Sequence, residues 1–406
     1  MVVVAVPFIF DESFSLMTES TPLTSAADLA AELRRQMPVS RKWAFFDHAA
    51  VAPISAPAAQ RIEQWTREAL EDGDVHCAAW AAGIEQTRSA AAAMINAPRE
   101  MVALVANTTA GINIVAEGFP WRPGDNIVTR SDEFPSNQYP WLHLADRGVE
   151  TRRLHCTDGR LDMDELAAAC DTRTRIVSIS WVTYAGGFRH DLDELCDFCH
   201  RRGILLFLDA IQGLGVFPLD VQRTPVDFLA ADGHKWLLGP EGAGVFYMRP
   251  EHLNLLRTVG VGWNSVVNEH DFHHIDLKLK PNAIRYEGGS QNSPGFLALG
   301  ASIELLNRFP AALRAAAVEE ISERACERLR GLGATIFSDR TPRHRSGIVS
   351  FELPGTDPQA VRRHCLQRGV VLSCRAGRLR ISPHAYNNSD DIDRLIDALA
   401  AANGGL

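Results

Sequence analysis

Short apolar runs alternate with longer amphipathic segments through the middle of the chain. Runs rich in Ile, Val, Leu and Phe that end at polar or turn residues are typical of buried strands. The predicted strands are residues 102–105, 126–129, 175–180, 204–208, 228–230 and 244–248. The predicted helices between them are residues 110–117, 162–169 and 192–202. This alternation predicts an α/β fold with parallel pairing and right-handed crossovers.

Beyond about Phe296 the pattern changes to that of a smaller α+β domain. A long helical stretch to Gly331 is followed by predicted strands at 348–351, 370–373 and 379–382, a helix at 359–368 and a last helix from Ser389. An amphipathic segment at 26–36 is expected to pack with this part. We therefore predict a large domain of residues 40–295 and a small, discontinuous domain of residues 1–39 and 296–406.

Length and charge limit the function. A chain of 406 residues suffices for two domains and an enclosed cleft. The net charge of −9 and the absence of a dense Lys/Arg run argue against a nucleic-acid partner. The apolar start, residues 1–10, lacks a cationic segment and is too short to span a bilayer, so we expect neither a signal peptide nor a membrane anchor. Residues 1–16 are an extension, an interfacial segment or an edge strand.

The eight cysteines have no compact spacing, which fits reduced thiols in a cytoplasmic protein. Residues 196–200, Cys-Asp-Phe-Cys-His, match the spelling of a c-type haem attachment site. They fall within an amphipathic helical pattern, however, and haem attachment needs an exposed, exported segment. We expect no haem and no metal there.

The strongest chemical signal is Lys235, which follows a predicted strand and precedes a glycine-rich stretch. Asp209 ends another apolar strand, and side chains at the carboxyl ends of such strands face the same crevice. A lysine that forms a Schiff base and a carboxylate that keeps the ring nitrogen protonated are the two charged groups that pyridoxal phosphate needs. Taken singly, Lys235 would more often be a solvated turn lysine, and Asp209 a helix cap.

Two further segments fit the same cofactor. Thr108 and Thr109 lie between a strand and a helix, where free N–H groups and hydroxyls bind phosphate, although such a turn alone is often only a cap. Phe134 follows the next strand and can cover a flat ring, a stack worth about 0.5–1.5 kcal/mol.

Taken in order along the chain, these motifs resemble the class V aminotransferase family of fold type I pyridoxal phosphate enzymes, a superfamily that includes cysteine desulfurases, isopenicillin N epimerase-like proteins and kynureninases. The resemblance extends from residues 46–50 through 209–212, 233–236 and 285–292 to 380–387. It implies a mostly parallel, seven-stranded sheet between helices, a smaller α+β domain and a homodimer with a shared active site.

The resemblance also implies individual roles. Lys235 forms the Schiff base, Asp209 pairs with the pyridine nitrogen, and Gln212 binds the phenolic oxygen. Thr109 and His234 hold the phosphate, Phe134 stacks on the ring, and Ser290 reaches the phosphate of the partner subunit. Arg380 grips the substrate carboxylate, with Arg375 as a second candidate, while His76 and Tyr184 line the site or are structural. Asp232 stands where a phosphate-binding serine or threonine is usual, and a carboxylate there would repel the phosphate.

The chain departs from cysteine desulfurases at Cys374, which precedes a tight turn instead of lying on a mobile loop. A cysteine within a strand is usually inert. The leading hypothesis is an aminotransferase that acts on an amino acid with a keto-acid co-substrate. An epimerase or a carbon–sulfur lyase, and a cofactor-binding scaffold without turnover, remain as alternatives.

Overall fold

The computed structural model describes residues 25–156 and 159–405. The predictions for residues 1–16 lie outside these ranges. Within them, the strands are β1 (Ala44–Phe45), β2 (Val102–Val105), β3 (Asn126–Arg130), β4 (Glu150–Leu154), β5 (Thr174–Ser180), β6 (Leu205–Asp209), β7 (Phe228–Asp232), β8 (Gly244–Met248), β9 (Thr335–Ile336), β10 (Val349–Glu352), β11 (Val370–Val371), β12 (Ser373–Arg375) and β13 (Arg378–Ile381).

In the first half of the chain, a helix separates most pairs of successive strands. The helices of the same ranges are α1 (Ala26–Arg35), α2 (Ala56–Asp72), α3 (Cys77–Met94), α4 (Thr108–Gly118), α5 (Tyr139–Leu142), α6 (Met163–Ala169), α7 (Leu192–His200), α8 (Ser293–Asn307), α9 (Ala311–Gly331), α10 (Pro358–Gln367) and α11 (Ser389–Gly405). The predicted haem-like stretch lies in α7, where the side chains of Cys196 and Cys199 are buried.

A seven-stranded sheet forms the centre of the molecule, in the order β2-β8-β7-β6-β5-β3-β4. Strand β8 runs antiparallel to β2 and β7, and the other neighbouring strands are parallel. This confirms the predicted mostly parallel α/β sheet. Every residue of β2, β3, β7 and β8 is buried, which explains why these strands appear as unbroken apolar runs.

Strand β4 is the one member of this sheet that the sequence pattern did not predict. Its sequence is ETRRL, and each of its residues is at least partly exposed. It pairs only with β3, at the edge of the sheet. Edge strands are commonly charged, because charged side chains discourage pairing with another chain, so the hydrophobic signal is absent.

The carboxyl-terminal part contains the four-stranded antiparallel sheet β12-β13-β10-β9, and β11 pairs with β1. Its own apolar core includes Phe46, Phe351 and Leu399. The long predicted helical stretch is two helices, α8 and α9, with an angle of 86° between them and a break at Pro310.

The predicted boundary at residue 296 falls inside α8. Buried residues of α8, such as Phe296 and Leu299, belong to the same core as the central sheet, and so do Leu29 and Leu33 of α1. The division into residues 40–295 and residues 1–39 with 296–406 stays a prediction.

Among the described residues, no single helix is long and apolar enough to cross a membrane; the bent pair α8 and α9 meets that test by length and composition only.

Candidate active site

One cavity, with a volume of about 270 Å³, lies at the carboxyl edge of the central sheet. Ligands of open α/β sheets bind at this edge. Seven of the predicted cofactor residues line the cavity: Thr108, Thr109, Phe134, Asp209, Gln212, His234 and Lys235. Three of the predicted substrate residues do so as well: Tyr184, Arg375 and Arg380.

Lys235 lies in the loop after β7, and only 7% of it is exposed. Its Nζ atom is 5.4 Å from the centroid of the Phe134 ring and makes no hydrogen bond within the described part of the chain. Burial lowers the pKa of Lys235, and the positive charges of Arg380 and Arg375 lower it further, against the opposing effect of Asp209. A lowered pKa increases the fraction of neutral amine, the form that attacks a carbonyl or removes a proton.

Asp209 is the last residue of β6 and is 2% exposed. Its Oδ1 atom accepts a hydrogen bond of 3.1 Å from the Ile211 N–H. Burial raises the pKa of Asp209, and the nearby carboxylate of Glu133 raises it further. A cationic partner is therefore needed to keep this carboxylate charged, and a protonated ring nitrogen is such a partner.

The side chain of Gln212 is held at both ends. Its Nε2 donates to the Ala49 carbonyl at 3.0 Å, and its Oε1 accepts from the Trp236 indole at 2.8 Å. An amide nitrogen has two hydrogens. One N–H of Gln212 therefore remains to donate to a phenolic oxygen in the cavity.

The amino terminus of α4 forms the anion-binding end of the cavity. Asn107 caps the helix by accepting from the Ala110 N–H at 2.9 Å. The N–H groups of Thr108 and Thr109, in the first turn, have no intrahelical acceptor, and the positive end of the helix dipole favours an anion. The Thr109 hydroxyl donates to Ser136, another lining residue, at 2.9 Å.

Asp232 and His234 complete this end. The Thr108 hydroxyl accepts from the Asp232 N–H at 3.0 Å, which joins α4 to β7. Oδ1 of Asp232 and Nδ1 of His234 are buried and have no hydrogen-bond partner in the described structure. Buried polar atoms without partners are rare, and here they adjoin free helix N–H groups. The residues present thus fit a phosphate-bearing cofactor, with Asp232 as the one unusual member.

Arg380 lies on β13 and is 1% exposed. It donates to the Tyr184 carbonyl at 2.6 Å, to Oδ1 of Asp47 at 3.1 Å and to the Ser373 hydroxyl at 3.2 Å. Burial lowers the pKa of Arg380, while Asp47 opposes that effect. These contacts fix the direction of the guanidinium in the cavity wall.

Phe134 and Tyr184 form an aromatic pair beside Lys235. Their ring centroids are 5.4 Å apart and the planes meet at 78°, an edge-to-face contact. Arg375, on β12, lines the cavity together with Arg380 and donates to the Cys374 carbonyl at 2.8 Å.

Two predicted site residues lie outside the lining of this cavity. His76 precedes α3, and its Nε2 is 3.0 Å from Oδ2 of Asp72. Ser290 is exposed, next to Gly289, and its predicted contact is with a second subunit. Their predicted roles stay predictions.

The hairpin of β12 and β13 places Cys374 away from the cavity. Its Sγ donates to the Pro358 carbonyl at 3.1 Å, beside α10. Burial raises the pKa of the Cys374 thiol, which disfavours the reactive thiolate. The turn consists of Ala376 and Gly377, both with positive φ, so the two strands are joined without the loop that a mobile thiol requires.

Three supporting residues had no predicted role. Asp47 binds Arg380, Trp236 orients Gln212, and Glu133 accepts hydrogen bonds from the backbone and hydroxyl of Ser180. Ser180 is the residue of β5 that pairs with Asp209 of β6. Long-range contacts of this kind leave no spacing signal in the sequence. The only indication of Glu133 in the sequence was that a carboxylate stands next to an aromatic residue at a strand end, as in Glu133-Phe134.

Comparison with known proteins agrees with this geometry. The family model of Aminotransferase class-V matches residues 44–395. A probable cysteine desulfurase of Methanothermobacter thermautotrophicus is 28% identical over 401 residues, with 92% of this chain and 98% of the relative covered. Isopenicillin N epimerase of Streptomyces clavuligerus is 31% identical over 336 residues, with 79% and 84% covered.

Solved structures give the same picture. The chain is similar to the cystine C–S lyase C-DES, with a TM-score of 0.83, 25% identity, and 90% of this chain and 99% of that chain covered. A mutant of C-DES, with a TM-score of 0.85, carries glycine covalently linked to its pyridoxal phosphate cofactor. The family match, the fold and the cavity agree: the chain belongs to the class V aminotransferase family of pyridoxal phosphate-dependent enzymes.

Proposed function

We propose that this chain removes the Cα proton of an α-amino acid and, as an aminotransferase, passes its amino group to a keto acid. The observation that carries the proposal is that Lys235, Asp209 and Arg380 line one cavity, while no cysteine is among its lining residues. Bound pyridoxal phosphate supplies a carbonyl that condenses with amines and a ring that accepts the electron pair of the Cα–H bond.

The residues of the chain supply the remaining steps. The side chain of Arg380 orients the substrate by its carboxylate. The free amine of Lys235, with its lowered pKa, takes the Cα proton and returns it. Asp209 holds the ring nitrogen protonated. Phe134, 5.4 Å from the amine and packed edge-to-face on Tyr184, can cover one face of the ring.

Epimerisation and carbon–sulfur cleavage are the second candidates. The similarity to isopenicillin N epimerase and to the cystine C–S lyase C-DES favours them, because proton removal at Cα can begin all three reactions. Their products differ: a keto acid, an inverted amino acid, or a sulfur compound released from the β-carbon.

A panel of amino acids in deuterated water tests the proposal. Incorporation of deuterium at Cα reports proton removal, and keto acid, inverted amino acid and sulfide are measured separately. We expect deuterium incorporation, and keto acid only in proportion to the added keto-acid acceptor. If no amino acid exchanged its Cα proton, the chain would be a cofactor-binding scaffold. Exchange without keto acid would replace transamination by one of the second candidates.

The same panel of amino acids tests whether Cys374 takes part in the reaction. We expect Cys374→Ala to leave keto acid production and any sulfide release from cysteine within about twofold, because the thiol is held at Pro358 and has a raised pKa. Cys77→Ala, at an exposed cysteine, is the control. Loss of sulfide release in the Cys374 variant alone would indicate a desulfurase.

Arg380→Gln should lower kcat/KM for amino acids by about 10²- to 10³-fold, since a lost charged hydrogen-bond pair costs about 2–5 kcal/mol. We expect a rise in KM with the cofactor still bound. Arg378→Gln is the matched control, because Arg378 lies on the same strand and pairs with Glu352 at 3.1 Å. An unchanged KM in the Arg380 variant would assign the substrate carboxylate to Arg375.

A homodimer in the cytoplasm is part of the proposal. Support comes from Ser290, exposed in the single chain, and from a row of exposed apolar side chains between residues 261 and 277, among them Trp263, Phe272 and Ile275. All eight cysteines are unpaired, as expected in a reducing compartment. Sedimentation equilibrium tests the dimer, and a monomeric mass would remove the role of Ser290.

A further inference from the structure

The carboxylate of Asp232 and the imidazole of His234 meet at the phosphate end of the cavity. Oδ2 of Asp232 is 3.1 Å from Nδ1 of His234, but the angle at the Nδ1–H group is unfavourable for a hydrogen bond. Asp232 is 5% exposed, and its other oxygen has no partner in the described residues. A charged, buried carboxylate without a full set of donors is costly.

A bound phosphate increases the free-energy cost of the buried Asp232 carboxylate. A phosphate monoester carries a charge of −1.5 to −2 at about pH 7, and a carboxylate beside it repels it. The neutral donors of this end are the α4 N–H groups and the hydroxyls of Thr108 and Ser136, since the Thr109 hydroxyl donates to Ser136. The other charged or titratable groups that line the cavity are Lys235, Asp209, Arg375, Arg380 and Tyr184. The first four already have roles toward the ring or the substrate.

His234 can offset the repulsion between the Asp232 carboxylate and a bound phosphate. Both residues line the cavity; Nδ1 of His234 faces Asp232, and its Nε2 has no hydrogen-bond partner in the described structure. A neutral imidazole has one donor, whereas an imidazolium has two. Only the imidazolium can donate to a carboxylate and to a phosphate at the same time.

We propose that cofactor binding takes up one proton from solvent at His234, which then donates Nδ1–H to Asp232 and Nε2–H to the phosphate. Asp232 is a positioning residue, which acts on the phosphate through His234 and not by contact. The carboxylate thus strengthens the phosphate contact of His234, since hydrogen bonds from charged donors are about twice as strong as neutral ones. The inference concerns the cofactor alone and holds for any of the three reactions.

Calorimetry with pyridoxine 5′-phosphate tests this linkage. The probe carries the phosphate but no aldehyde, so it cannot condense with Lys235. Titration at about pH 8 in two buffers of different ionisation enthalpy gives the number of protons taken up, at a pH where free imidazole is mostly neutral. We expect Asp232→Ser to take up about one proton fewer than wild type. Protons taken up or released at the ring nitrogen and at Asp209 contribute equally to the count in both proteins.

Glu241→Gln is the matched control, because it removes an exposed carboxylate from the adjoining loop without touching the cavity lining. It should behave as wild type. Equal proton uptake by wild type and Asp232→Ser would overturn the proposal.

A second measurement does not depend on whether the Asp232 variant folds. The ¹⁵N resonances of His234 in the wild-type complex, assigned by their loss in His234→Gln, should report two protonated nitrogens at about pH 8. A neutral His234 in that complex would contradict the proposal, whatever the calorimetry gave.

Discussion

Lys235→Ala is expected to abolish turnover, with a fall in kcat on the order of 10⁴-fold or more. A positioned general base alone contributes about 10²- to 10⁴-fold, and the variant also loses the amine that attaches the cofactor. The purified variant should bind pyridoxal phosphate reversibly, without a cofactor that borohydride fixes to the protein. Visible absorbance before and after reduction and dialysis measures this directly.

Lys280→Ala is the matched control for this variant. Lys280 is also largely buried, with 14% of its side chain exposed, but it pairs with Glu269 outside the cavity. It should keep both turnover and fixed cofactor. A Lys235 variant that retained borohydride-fixed cofactor would refute the assigned role.

Asp209→Asn is expected to keep the cofactor bound but to lower Cα deuterium exchange by about 10- to 10³-fold. An opposite charge at contact range shifts a pKa by about 1–3 units, and each unit corresponds to tenfold in an equilibrium. The amide is neutral and cannot hold the ring nitrogen protonated, so the ring accepts the Cα electron pair less well. Cofactor content and deuterium exchange are measured on the same sample.

Asp227→Asn separates this electrostatic effect from a general loss of stability. Asp227 is 1% exposed and accepts from the Leu206 N–H at 2.8 Å, but it does not line the cavity. Its substitution should destabilise the fold and leave exchange per bound cofactor unchanged. Exchange in the Asp209 variant within about threefold of wild type would remove Asp209 from the mechanism.

The buried strands were predictable because a strand covered on both faces leaves an unbroken apolar run, as in β2, β7 and β8. The edge strand β4 was not, since its exposed residues are charged. Similarly, the break at Pro310 is visible in the sequence, but the angle between α8 and α9 depends on packing, which periodicity does not report.

The site was predictable where a residue follows a strand directly. Asp209 and Lys235 were found from strand ends that share one edge of the sheet. The support of Arg380 by Asp47, 333 positions apart in sequence, was not. The unpaired atoms of Asp232 and His234 likewise appear only in three dimensions, although the unusual aspartate was visible in the sequence.

The central claim is that Lys235 carries the cofactor, and peptide mapping tests it most directly. The chain has four lysines, Lys42, Lys235, Lys278 and Lys280, so attachment can be assigned without ambiguity. Holoprotein would be reduced with borohydride, digested and analysed by mass spectrometry. We predict one pyridoxyl adduct, on Lys235. An adduct on any of the other three lysines, or none on a protein that has bound pyridoxal phosphate, would contradict the account.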